Sequence, residues 1–301
     1  MINQFQKAYK EKVEKEKLPL GKRPDWLKVK LPTGENYSDV RTLMRKQKLH
    51  TVCEEAKCPN IAECWNHRTA TFMILGDTCT RSCGFCNVKL GIPNKLDLEE
   101  PGRVAESVQE LNLKHVVITS VNRDELEDGG ASIFADTIRL INARMPDTTI
   151  EILIPDFKGS EAAFRIILEN PPNILNHNLE TVPRLYPVVR PQAKYTRSLN
   201  LISWFKQKGL KTKSGIMVGI GESKSEVLLL MKDLVDSGCD ILTIGQYLQP
   251  TKVHLPVDRF VTPDEFKLYK EEGLAMGFKI VESSPLVRSS YHADEHARAL
   301  F

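Results

Sequence analysis

His115-Val-Val-Ile-Thr-Ser120, a helical pattern over residues 132–143 and Thr149-Ile-Glu-Ile-Leu-Ile154 read in order as an apolar strand, an amphipathic helix and a second apolar strand. Short continuous apolar runs of this kind suit strands buried on both faces, as in a parallel sheet with helices packed outside it. The same alternation extends in both directions. Further candidate strands lie at 69–75, 173–178, 213–219 and 240–246, and helical patterns at about 104–111, 161–168, 196–208 and 224–236. Six such units predict an α/β protein with parallel strands and right-handed crossovers, either a barrel or a doubly wound sheet. Chemistry then belongs at the carboxyl ends of the strands. There Thr119-Ser120 leads into Asn122-Arg123-Asp124, Asn176-His177-Asn178 precedes Glu180, and Gly219-Ile-Gly-Glu222 follows the fifth strand.

The 301 residues are 41% hydrophobic, enough for a substantial core in one or two domains. With 42 basic and 39 acidic residues the formal charge is +3, so the surface is mixed and no nucleic-acid partner is indicated. Residues 1–17 are polar, with Glu11, Glu14 and Glu16 among the lysines, unlike a transit peptide or secretory signal. No apolar run approaches the ~18 residues of a membrane span, and a cytoplasmic protein without a membrane partner is expected. Charges alternating over 7–17 predict a solvated surface helix. Pro19, Gly21, Pro24, Pro32 and Gly34 then predict an extended arm to about Tyr37, anchored by Trp26 and Leu27. The tail from Val281 reads as a loop.

Seven cysteines is an odd count, and six of them crowd between Cys53 and Cys86. A disulfide framework would tie distant segments together, whereas clustered thiols in a reducing compartment more often bind metal. Cys239, beside Gly238, reads as a small buried hydrophobe. Cys79-Thr-Arg-Ser-Cys83-Gly-Phe-Cys86 follows the first candidate strand directly, and three thiolates in this short loop can hold three corners of a 4Fe-4S cube. The fourth iron is left open for a chelating molecule. Arg81 and the backbone amides, with Gly84 allowing close approach, could tune such a cluster. A zinc site using Cys83 and Cys86 is the competing reading.

The spacing of this triplet, with an aromatic residue before its last cysteine, resembles the signature of the radical S-adenosylmethionine (SAM) superfamily. The resemblance implies a partial (β/α)6 TIM-type barrel with N-terminal and C-terminal extensions. It also implies that the open iron binds SAM, whose reductive cleavage yields a hydrogen-abstracting radical. Gly215-Ile-Met-Val-Gly219-Ile-Gly-Glu222 resembles the adenine-side segment, and Asn178, Glu180 and Arg190 are candidates for ribose or carboxylate contacts. Asp128-Gly129-Gly130 reads as a turn, and His177 and His292 as structural groups.

Cys53-x4-Cys58-x5-Cys64 matches neither a common zinc pattern nor a disulfide loop. Its fourth partner could be a hydroxyl, a nitrogen or an incoming substrate, and two buried cysteines with one spare is the bland alternative. The two triplets in succession resemble the lipoyl synthases, a family within the superfamily. So do Arg23-Pro-Asp-Trp-Leu-Lys28, Thr71-Phe-Met73, Asp128-Gly-Gly130, Glu180-Thr-Val182, Gly245-Gln-Tyr-Leu-Gln-Pro250 and Arg288-Ser-Ser-Tyr-His-Ala293. That resemblance implies a sulfurtransferase with two 4Fe-4S clusters, the auxiliary one held by Cys53, Cys58, Cys64 and Ser289 and consumed as sulfur donor. It implies sulfur insertion at C6 and C8 of an octanoyl group on a lipoyl carrier domain, a 2-oxoacid dehydrogenase E2 or the glycine cleavage H protein. An electron donor such as flavodoxin or ferredoxin is implied too. The expected organisation is an arm at 1–68 bearing the auxiliary cysteines, a radical SAM core at 69–280 and an extension at 281–301 supplying the serine.

Overall fold

The computed structural model describes residues 6, 7, 10, 11, 22–28, 35–56, 58–66 and 71–301. The surface helix expected over 7–17 and the first two residues of the strand expected at 69–75 lie largely or wholly outside them. Ten strands are present among the described residues: β1 His50–Thr51, β2 Thr71–Ile74, β3 Thr78–Cys79, β4 Lys89–Leu90, β5 His115–Ser120, β6 Thr149–Leu153, β7 Ile174–Asn176, β8 Lys211–Val218, β9 Ile241–Gln246 and β10 Ile280–Ser283. Helices α1 Glu35–Lys46, α2 Val52–Glu55 and α3 Ile61–Asn66 precede β2. The crossovers carry α4 Glu100–Glu110, α5 Ala131–Arg144, α6 Glu161–Glu169, α7 Tyr186–Val189, α8 Tyr195–Gln207, α9 Lys224–Asp236 and α10 Pro263–Met276, and α11 Ala293–Leu300 closes the chain.

Eight strands form one sheet in the order β1-β2-β5-β6-β7-β8-β9-β10, parallel throughout except for β1 against β2. The order follows the chain without reversal, which decides for an open, partial barrel over a doubly wound sheet with its switch point. Apolar side chains of β2, β5, β6 and β9, including Phe72, Ile118, Ile152 and Ile244, are buried with helix residues such as Phe134, Phe205 and Leu230. Local chemistry starts the helices. Ser223 and Glu226 form a reciprocal capping box on α9, and Ser160 caps α6. Asp128 accepts from the amides of Gly130 and Ser132, so Asp128-Gly-Gly130 is the turn that opens α5.

Several elements depart from the sequence reading. The arm expected to run extended to about Tyr37 already holds α1, and Leu27 is its buried anchor while Trp26 is 42% exposed. Strand β10 pairs with β9 across the boundary expected near residue 280, so the sheet continues into the tail. The tail is not a loop: α11 carries Asp294 and Glu295 in its first turn and Arg298 in its last, charges that suit the helix dipole. Its Ala297 packs with Ile174 and Ile241 at the starts of β7 and β9, plugging the amino-terminal mouth of the barrel.

Asp240, just before β9, accepts from Lys206 Nζ at 2.6 Å and the Thr212 amide at 3.0 Å, and pairs with Lys279 Nζ at 2.8 Å. Burial pushes its carboxyl up, but the lysine hydrogen bonds outweigh that and hold it below the usual range. A depressed folded pKa contributes stability above the unfolded value of about 3.9, lost as pH falls through the folded value. Asp240→Asn is therefore expected to cost about 2–3 kcal/mol at pH 7. The gap in urea midpoint from the parent protein should narrow as the pH approaches 3.5.

Candidate active site

The loop after β2 carries the second triplet at the carboxyl edge of the sheet, and neighbouring strand ends hold it from several sides. Thr80 N donates to Asn122 O at 3.1 Å, Gly84 N to Val189 O at 2.8 Å, and Leu255 N to Gly84 O at 3.0 Å. A Cβ on Gly84 would stand 2.7 Å from Leu255 Cδ1, which is the close approach the glycine permits. His254 Nε2 lies 2.8 Å from Cys86 O and so donates to it, while its Nδ1 accepts from Thr251. Arg81 points inward. Its Nε and Nη2 reach both Asp124 oxygens at 2.7 and 2.8 Å, and Nη2 lies 2.6 Å from Asp156, which also pairs with Arg197 at 3.0 Å.

No cysteine is in a disulfide. Burial pushes the Cys83 thiol up to about 11 and Cys86 to about 12, neighbouring cysteines add repulsion, and Arg190 pulls Cys83 partly back. The amides of Arg81 and Asn122 donate to Cys79 Sγ at 3.4 and 3.3 Å. Iron in place of the protons relieves the buried Cys83 and Cys86 thiols of ionising alone, and the amides at Cys79 suit a metal-bound sulfur. Among the described residues no three His, Cys, Asp or Glu side chains converge on a point for a single metal ion. A cube spreads its thiolates over separate irons, and three thiols in one loop fit three of its four corners.

Asn178, Glu180 and Arg190 come together beside Cys83. Asn178 Nδ2 donates to Glu180 Oε1 at 3.0 Å, and Arg190 Nη1 donates to the carbonyls of Asn178 and Leu179 at 2.6 and 3.1 Å. Glu180 sits at φ 66°, pinned by the backbone on both sides to β8. Asn178 Oδ1, Arg190 Nε, Asn122 Oδ1 and Ser120 Oγ are buried without a partner among the described residues, so this rim keeps hydrogen-bonding capacity for a polar ligand. Gly219 and Glu222 serve the next loop: Glu222 accepts from the amides of Gly219 and Ile220, and Gly219 at φ 88° leaves room for Gln246 and Arg259 O. His177 is structural, donating through Nδ1 to Ile154 O at 2.9 Å and accepting at Nε2 from Ser198.

The first triplet lies toward the other end of the barrel. Since β1 runs antiparallel to β2, the chain after it heads for the start of β2, and Cys53, Cys58 and Cys64 line a cavity of about 350 Å³ with Thr71 and His115, the first residues of β2 and β5. Thr51 caps α2 through the Glu54 amide, and the amides of Cys58 and Cys64 bond to Cys53 O and Asn60 O, which sets the three thiols around one turn of chain. Burial pushes the Cys53 thiol up to about 12, while the neighbouring Trp65 indole pulls down. The buried Trp65 N–H thus faces the Cys53 sulfur, a donor for a cluster thiolate. Arg288, Ser290, Tyr291 and His292 of the tail complete the cavity wall. Ser289 lies between two wall residues, partly buried, and is not itself on the lining. Two contacts that bring the tail here carried no sequence signal: Asn60 Nδ2 to Leu286 O at 2.8 Å, and Tyr291 OH to Glu63 at 3.1 Å. Cys239 is buried in the core, its thiol directed at Ile241 O.

Residues 73–234 match the radical SAM superfamily, and residues 2–58 match the N-terminal domain of lipoyl synthase of that superfamily. A lipoyl synthase of Rubrobacter xylanophilus is 60% identical over 275 residues, covering 91% of this chain and 86% of the relative. That of Shouchella clausii is 56% identical over 277 residues, 91% of this chain and 90% of the relative.

The chain belongs to the lipoyl synthase family. Membership makes it a radical SAM sulfurtransferase, with SAM and two 4Fe-4S clusters as its cofactors. The lipoyl synthase of Christiangramia forsetii is 53% identical over 91% of this chain. Solved structures agree on the fold: SuiB of Streptococcus suis bound to S-adenosylmethionine aligns at TM-score 0.56 and 12% identity, over 84% of this chain and 58% of that one. HydG, a maturase of the [FeFe]-hydrogenase, aligns at 0.51 and 14%, over 97% and 70%. Among the described residues no helix is long and apolar enough to cross a membrane.

Proposed function

We propose that Cys79, Cys83 and Cys86 hold the cluster that binds SAM, and that Cys53, Cys58, Cys64 and Ser289 hold a second cluster that is itself the sulfur-donating substrate. In this reading residues 1–68 form the arm that brings the auxiliary cysteines, 69–280 the radical core, and 281–301 the extension that brings the serine. When bound, SAM reduced through the first cluster supplies a radical that abstracts hydrogen. The chain's own residues do the rest. Arg81, locked to Asp124 and Asp156, sets the loop that presents the thiolates. Asn178 Oδ1 and Arg190 Nε, the capacity that rim keeps free, orient the polar part of SAM beside Glu180, while Gly219 and Glu222 shape the loop against its adenine side.

The octanoyl chain, delivered on a lipoyl carrier domain, has to reach from the carboxyl edge toward the cavity of the first triplet, where C6 and C8 each exchange a hydrogen for a sulfur. A serine oxygen is a weaker partner for iron than a thiolate, which suits a cluster that must give up sulfur. A flavodoxin or ferredoxin would supply the electrons. The observation that carries the reading is that three cysteines outside the SAM loop share one cavity with Arg288, Ser290 and Tyr291 of the tail.

The test is anaerobic incubation of reconstituted protein with SAM, reductant and an octanoylated lipoyl-domain peptide. The parent protein should add two sulfurs to the peptide. Cys58→Ala and Ser289→Ala should each keep 5'-deoxyadenosine formation within a few-fold while reducing doubly sulfurated product by at least a hundredfold. Undiminished sulfur insertion by Ser289→Ala would remove the serine from the proposed ligand set.

A further inference from the structure

One buried polar group of the barrel has no place in the chemistry above. Lys213 on β8 and Glu151 on β6 form an ion pair with both side chains wholly inaccessible, Nζ to Oε2 3.0 Å. Asn176 on β7 donates to the other Glu151 oxygen at 2.9 Å. The remaining partner of Lys213 comes from the tail: His296 Nδ1 on α11, at 3.5 Å. With Nδ1 accepting, the imidazole is neutral and its proton sits on Nε2.

A buried ion pair is a poor source of net stability, because removing both charges from water offsets most of their attraction. What it does supply is direction. The apolar contacts of α11, Ala297 against Ile174 and Ile241, allow the helix to rotate or slide. A single acceptor aimed at a buried ammonium permits one register. Before Ser289 the tail is tied to β9 by Ser284 N to Ile244 O and Gln246 N to Pro285 O, both at 3.2 Å, and Leu286 O and Tyr291 bond to Asn60 and Glu63 of the cysteine segment, but none of these pins fixes the chain beyond Tyr291 to the barrel. The contact between His296 and Lys213 does. It follows Ser289 by two short steps of chain, across a turn in which His292 takes the left-handed conformation at φ 52°.

We infer that His296 is a positioning residue for sulfur donation: seated on the Lys213–Glu151 pair, it sets how deep the tail enters the barrel and so where Ser289 stands relative to Cys53, Cys58 and Cys64. The inference rests on the proposal that Ser289 ligates the auxiliary cluster.

Three variants of the full chain test it. His296→Leu removes the acceptor, His296→Asn keeps an acceptor at the place of Nδ1, and Lys213→Met/Glu151→Leu removes the anchor without stranding a charge. In cluster-free protein, amide hydrogen exchange over residues 288–296 should quicken at least tenfold in His296→Leu and in the double variant, and return to the parent rate in His296→Asn. After reconstitution His296→Leu and the double variant should carry a three-iron auxiliary cluster, visible by EPR, in place of the four-iron form. Formation of 5'-deoxyadenosine should stay within twofold. The double variant serves if His296→Leu does not fold. Parent-like exchange and a complete auxiliary cluster in both would overturn the inference, as would His296→Asn behaving like His296→Leu. An auxiliary spectrum unchanged by Ser289→Ala would instead overturn the serine reading on which the inference stands.

Discussion

Arg81→Met is expected to empty the SAM-binding cluster site while sparing the auxiliary one. The guanidinium bridges Asp124 and Asp156, whose side chains are 24% and 0% exposed, and it is the charged link between the cluster loop and the ends of β5 and β6, beside the bonds of Thr80 to Asn122 and Asp124. Methionine keeps the apolar stem and leaves Asp156 with Arg197 as its remaining cation. Breaking one side of such a buried pair costs about 3–5 kcal/mol, and the cost falls on the loop that carries the three cysteines. Reconstituted iron should fall from about eight to about four per chain. Formation of 5'-deoxyadenosine should drop at least a hundredfold. Arg81→Lys should recover little, since a point charge cannot bridge two carboxylates as a planar fork does. Full iron content with parent-rate SAM cleavage in Arg81→Met would show that the loop holds its shape without this contact.

Gly245→Ala should do the converse and disable the auxiliary site. A Cβ at this position of β9 would lie 2.0 Å from Val287 O and 3.1 Å from Arg288 Nη1. The first obstacle is backbone and cannot rotate aside. Either β9 shifts or the tail withdraws just before Ser289, and overpacking of this kind costs about 3 kcal/mol. Sulfur insertion should become undetectable and auxiliary iron should be lost, while 5'-deoxyadenosine formation survives. Unchanged auxiliary iron in Gly245→Ala would mean that the tail tolerates displacement, and the close contact would then be incidental. Thermal denaturation of cluster-free protein separates the stability cost from the effect on the site.

The alternation of strands and helices was legible because buried parallel strands write continuous apolar runs, and the helices between them are amphipathic. Strand β5 falls at the residues expected and α9 spans 224–236 as read, while β7 shrank to Ile174–Asn176 because its flanks serve as loops around Asn178 and Glu180. Other elements left weaker marks. Helix α1 is mostly polar and α11 is eight residues long, too short for a helix stable by itself, so its shape depends on the barrel mouth it fills. Trp26 carried the same apolar signal as Leu27, yet Leu27 is buried and Trp26 stands partly in solvent.

Sequence alone showed two short loops of three thiols each, because cysteine spacing is local, and the chemistry followed from the resemblance those spacings and their neighbouring motifs carry. It also determined the α/β class, through patterns confined to each element. Tertiary structure alone decided the strand order, which made a partial barrel, and the separation of the two triplets. Only 14 residues lie between Cys64 and Cys79 in the chain, but the antiparallel β1 turns the first triplet toward the start of β2 while the second sits at its end. Placement of the tail, with Ser289 held near cysteines more than 200 positions earlier, likewise depends on contacts that only folding assembles, Asn60 with Leu286 and Lys213 with His296. Such contacts join residues whose separation along the chain carries no periodic trace.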